Sequence, residues 1–110
     1  MTDRSLSTQV FQILLSLADQ DLHGYAIIQD VAERTDGEVR LTASTLYAAV
    51  KRLLEQGLID EVSSRSRDDD PRRRYYHLTP VGRKTARDEA LRLERLAAMA
   101  RAKRLLPSTR

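Results

Sequence analysis

The chain has 110 residues, 32% of them charged, with a net charge of +3, one phenylalanine, no tryptophan and no cysteine. That length sets one domain around a single core. The missing cysteines exclude disulfides, thiolate metal sites and thiol nucleophiles, and the few aromatics argue against a large aromatic-lined substrate pocket.

The charge is unevenly spread. Residues 1–39 carry two Arg against seven acidic side chains, a net of −5. Residues 40–110 carry seventeen basic against nine acidic side chains, a net of +8. This asymmetry favours a polyanion contact made by the second part, although an Arg- and Ala-rich composition also follows from genomic base composition alone. No apolar run is long enough to span a bilayer, and the start lacks the apolar region of a signal peptide, so a cytoplasmic protein with no membrane partner is expected.

Residues 6–18 predict the first helix. Leu6, Val10, Ile13, Leu14 and Leu17 recur at steps of three and four. Phe11, Leu15 and Ala18 widen the stripe beyond one buried face, which implies deep burial or a second chain. Ser5 or Ser7 is the expected cap. "ADQDLHG" reads as a turn. A second helix is expected over 24–35, with Tyr25, Ile28 and Ala32 on one face and Ile27 and Val31 beside them, closed by Asp36-Gly37. "EVRL" reads as extended, with room for a small strand.

The third helix lies in "RLTASTLYAAVKRLLEQGLI", capped by Thr42 and ended by Gly57. Leu46, Val50, Leu53 and Leu54 form its apolar arc, and Ser44, Ala48, Lys51, Arg52 and Glu55 the opposite arc, flanked by Thr45 and Tyr47. "LIDEVSS" and "RYYHL" enclose the charged loop "RSRDDDPRRR" and read as a hairpin. Thr79-Pro80 starts a last helix that runs without a breaker to about Leu106. That is about 26 residues, or roughly 40 Å.

This order gives a mainly α fold with a small β-hairpin, a winged helix-turn-helix followed by a long C-terminal helix. In that geometry the third helix lies in a DNA major groove. A groove about 12 Å wide admits a helix whose entry side chains are short, which accounts for Ser44, Thr45 and Ala48. Lys51 and Arg52 follow where the duplex backbone passes.

"STLYAAVKRLLEQGLI", with "HGYAIIQDV" before it and "RRRYYHLTPVGRK" after it, resembles the PadR family of bacterial transcriptional regulators over about residues 6–100. The family usually has Gly before "TLY" and Pro after it, where this chain has Ser44 and Ala48. With a single C-terminal helix, the chain resembles the shorter subfamily. The resemblance implies a homodimeric regulator, expected to be a repressor, on a palindromic double-stranded operator.

The implied DNA-contacting residues are Thr42, Ser44, Thr45, Tyr47, Ala48, Lys51 and Arg52 on or before the third helix, and Arg73 and Arg74 on the wing. The bland reading makes Lys51 part of a solvated face with Glu55, and pairs Arg72–Arg74 with Asp68–Asp70. The expected dimerisation residues are Leu6, Val10, Phe11 and Leu14 on the first helix, and Ala86, Ala90, Leu93, Leu96, Ala97 and Ala100 on the last. A long helix cannot bury such a stripe on so small a domain, so a partner helix is the natural cover. The domain boundaries follow: 1–79 for DNA binding, 80–106 for dimerisation, and 107–110 as a disordered tail.

The resemblance further implies that some relatives bind small aromatic compounds between subunits, while others respond to none known. The matching expectation is a small hydrophobic effector among Phe11, Leu93, Leu96 and Met99. His23 and His77 lack a ligand set, Asp68–Asp70 lack the spacing of a calcium loop, and no nucleophile–base pair or phosphate-cradling glycine loop is present. No metal, cofactor or enzymatic activity is therefore expected. The competing reading from another class is a winged-helix protein-interaction module that does not bind DNA.

Overall fold

The computed structural model describes residues 6–62 and 74–108. In chain order the elements are α1 (Thr8–Ser16), β1 (Leu22–His23), α2 (Gly24–Arg34), α3 (Ala43–Glu55), β2 (Ile59–Val62), β3 (Tyr75–Leu78) and α4 (Pro80–Ala102). The fold is mainly helical with a small antiparallel sheet, as the sequence predicts.

Side-chain caps set the helix starts. Ser7 Oγ accepts the Val10 N–H at 3.1 Å, and Thr79 Oγ1 accepts the Gly82 N–H at 3.0 Å. The ends of α2 and α3 are closed by Gly37 (φ 80°) and Gly57 (φ 74°). After α3, Leu58 N–H reaches back to the Leu53 carbonyl at 3.0 Å.

The core joins Ile13, Leu14 and Leu17 of the α1 region to Ile27 and Val31 of α2 and Leu46, Val50 and Leu53 of α3. Ile59, Tyr76 and Leu78 close it from the sheet.

Several expectations change. The "ADQDLHG" turn contains a strand: β1 pairs with β3, Leu22 opposite Tyr76 and His23 opposite Tyr75. The sheet thus has three strands in the order β1-β3-β2 rather than two. Residues 38–41 form no strand. α1 is shorter than expected, and α4 stops at Ala102 rather than near Leu106. The chain turns there through Arg104 (φ 67°), and Leu105 N–H returns to the Ala100 carbonyl at 2.9 Å. Tyr25, expected beside Ile28 and Ala32, is 62% exposed. Ile27 and Val31 are fully buried and define the inner face of α2.

The loop tip (Asp68–Asp70) and the first five residues lie outside the described residues, as do Arg72 and Arg73. Of the expected tail, Pro107 and Ser108 are described, and the Pro107 carbonyl accepts a 3.0 Å hydrogen bond from Arg101 Nε.

Candidate nucleic-acid interface

α3 divides cleanly. Leu46, Ala49, Val50 and Leu53 face the core, while Ser44, Tyr47, Ala48, Lys51 and Arg52 are exposed. Thr42 precedes the helix with its side chain engaged. Its Oγ1 accepts the Thr45 N–H at 3.1 Å and donates to Thr45 Oγ1 at 2.9 Å. The Thr45 hydroxyl proton is thereby left to point elsewhere. The helix start presents only hydroxyls and methyls, and the cations come one to two turns later. Among the described residues, Lys51 and Arg52 make no ion pair, so their charge is available to an incoming anion.

Tyr47 is 49% exposed, yet its phenol is seated on the first residue of α2. A Cβ on Gly24 would overlap the Tyr47 hydroxyl and come within 2.7 Å of Cζ. Tyr47 also borders the sheet. Burial pushes the Tyr76 phenol above its ordinary pKa, and the neighbouring Tyr47 and Glu61 add to the rise against the opposing charge of Arg74. α3 also packs against β2, at the base of the wing. There, exposed Arg74 pairs with Glu61 across the β2–β3 ladder at 3.3 Å. An exposed pair of this kind is worth little, and phosphate can compete for the guanidinium.

The predicted dimerisation residues fall into groups. Leu14 is fully buried in its own core, which corrects its assignment to a partner contact: α1 is apolar around its girth, and Leu14 lies on the inner side. Leu6, Val10 and Ala86 are partly buried against that core. Phe11, Ala97 and Ala100 are half-buried, and Ala90 is exposed. Leu93, Leu96 and Met99 are 39%, 47% and 60% exposed along one stretch of α4. The molecule is correspondingly long, 52 × 33 × 25 Å. No helix among the described residues is long and apolar enough to cross a membrane.

The family model described as "Transcriptional regulator PadR-like family" matches residues 13–88. The chain belongs to the PadR-like family. It is similar to a PadR family transcription regulator from Clostridium difficile R20291, at 27% identity and TM-score 0.76, over 87% of this chain and 97% of that one. It shares its fold with Bacillus subtilis PadR, solved in complex with operator DNA, at 23% identity and TM-score 0.63, over 74% of this chain and 45% of that one. An uncharacterized protein of Lysinibacillus sphaericus is 32% identical over 71 residues, 64% of each chain. The PadR-like chain thus spans under two thirds of that relative's length. The family is one of transcriptional regulators.

Three devices that fix α2 and α4 in the PadR-like fold carry no helix-pattern signal. His23 caps α2, its Nδ1 accepting the Ala26 N–H at 3.2 Å, and stands edge-on to Tyr75 with ring centroids 5.4 Å apart. Arg34 ties α2 to α1. It reaches Asp30 at 2.8 Å, Gln12 Oε1 at 2.6 Å and Ser16 Oγ at 2.7 Å. Burial alone raises the Asp30 carboxyl, but Arg34 and Ser16 outweigh it and hold the group below the usual aspartate range. Glu89, 4% exposed on α4, accepts the Leu6 N–H at 3.3 Å and an Arg92 Nε–H at 3.0 Å. This joins the approach to α1 to the last helix.

Proposed function

We propose that the protein is a homodimeric, sequence-specific DNA-binding repressor that inserts α3 into the major groove and lays its wings on the flanking backbone. The observation that carries this reading is the outer face of α3. It is bare, short at its entry and cationic further on, with its opposite face wholly committed to the core. Phosphate contacts from Lys51, Arg52 and Arg74 would set affinity, with Arg73 as a further wing contact. The hydroxyls of Thr42, Ser44, Thr45 and Tyr47, and the Ala48 methyl, would face base edges and nearby phosphates.

The partner is a second copy of the chain. Leu93, Leu96 and Met99 are exposed beside Ala90, Ala97 and Ala100, and Phe11 is half-buried on α1. A paired helix covers such a stripe, and the alanines permit close approach. A two-fold dimer reads a palindrome and represses by occupying it. The same apolar set, Phe11, Leu93, Leu96 and Met99, would take a small hydrophobic effector between subunits. Release of DNA then requires different effector affinity in the two dimer states. A thermal-shift panel of phenolic and cationic compounds tests that arm, and uniform silence would count against it.

The main test is selection of duplexes from a random library by the intact protein. The selected duplex should bind on the order of a thousandfold more tightly than a scrambled one. Equal binding of both would overturn the specificity.

A further inference from the structure

We propose that the DNA-binding surface extends onto the start of α2, where Tyr25 brings a second phenol to the duplex backbone and Gly24 aims Tyr47. The inference rests on the DNA-binding reading and adds to it two residues outside α3 and the wing.

Tyr25 is the most exposed aromatic among the described residues. It follows Gly24, on which the Tyr47 phenol is seated, so two exposed phenols share one end of α2. Tyr47 lies on the outer face of α3, and Tyr25 directly follows the glycine on which it rests. A half-exposed tyrosine suits a surface that becomes partly dry on binding, with the ring covered and the hydroxyl donating.

Gly24 has no positive φ, so backbone freedom does not explain it. Space does. A methyl there would displace the Tyr47 ring and press within 3.1 Å of Leu46 Cδ2.

Charge agrees. The first turn of α2 has no acidic side chain, although residues 1–39 hold seven. Nearby Asp21 is turned to His77 at 2.7 Å, and Asp30, further along, is held by Arg34. A phosphate approaching Tyr25 therefore meets no free carboxylate of that first turn.

The test titrates the full chain with a labelled mixed-sequence duplex at several salt concentrations. Tyr25→Phe should weaken binding about tenfold, as expected for one hydrogen bond to a charged oxygen. It should leave the salt slope unchanged, because a neutral hydroxyl releases no counterion. Gly24→Ala should weaken binding when Tyr47 is present and add nothing in a Tyr47→Ala background. That cycle separates aiming of the ring from any general loss of stability, which circular dichroism melts record alongside. Wild-type affinity for Tyr25→Phe, or an equal loss from Gly24→Ala without Tyr47, overturns this proposal and leaves the DNA-binding reading standing. Absence of salt-sensitive binding by the wild type overturns both.

Discussion

Gly82, in the first turn of α4, lies against the carbonyl of Leu58, and even a methyl group would overlap that oxygen. The carbonyl cannot easily retreat. It accepts the Thr79 N–H at 3.1 Å and the Thr79 hydroxyl at 3.0 Å. This contact locks α4 to the turn between α3 and β2, and so holds α4 at a fixed angle to α3. Gly82→Ala is expected to destabilise the fold by about 2 kcal/mol or more, since the clash is with backbone rather than a yielding side chain. Urea denaturation checks it, and an unchanged midpoint would mean the two elements can separate without cost.

Lys51 is exposed and unpaired among the described residues. Lys51→Ala should weaken binding to all duplexes alike and flatten the salt dependence by about one unit per subunit, the signature of a lost phosphate contact. Anisotropy titrations over a salt series measure both quantities. A change confined to one sequence would instead place Lys51 on a base.

The exposed stripe of α4 predicts a stable dimer that a single charge disrupts. Leu96 is 47% exposed, so Leu96→Glu spares the subunit core. Sedimentation velocity should show the wild type as a dimer and Leu96→Glu shifted to monomer, with its helical circular dichroism kept. A wild type that sediments as a monomer at working concentrations would remove the paired helix from the account.

Asp30 gives a pH signature. Its folded-state carboxyl lies below the usual aspartate range, because the guanidinium of Arg34 and the hydroxyl of Ser16 outweigh its burial. A depressed carboxylate contributes stability that is present above its unfolded pKa and lost as pH falls through the folded one. Asp30→Asn should therefore be less stable than wild type at neutral pH. The gap should close as the solution is acidified through the carboxylate range. Denaturation of both proteins over that range is the check, and a gap independent of pH would assign the loss to packing.

Much of the site was legible because local chemistry marks it. Thr42 and Gly57 bracket α3, and Thr79-Pro80 opens α4, whereas only the folded sheet decides that Tyr76 rather than Tyr75 turns inward. What escaped depends on distant parts of the chain. β1 is two residues long and exists through pairing with β3, which no local pattern encodes. α1 and α2 each offer more than one apolar stripe, and only the folded core decides that Leu14 turns inward and Tyr25 outward. Glu89 reads as one more charge on a solvated helix, because its partner at Leu6 is 83 residues away in sequence. Gly24 reads as a turn glycine until Tyr47 is placed above it.

Whether the bare side of α3 is presented twice to the major groove is decided by guanine-N7 methylation interference on the library-selected duplex. That nitrogen lies in the major groove. Two interfering clusters are expected, related by a two-fold axis and about one helical turn apart, both lost in a Ser44→Glu variant that still dimerises. Interference at a single cluster, or binding indifferent to N7 methylation, would contradict that two-fold presentation.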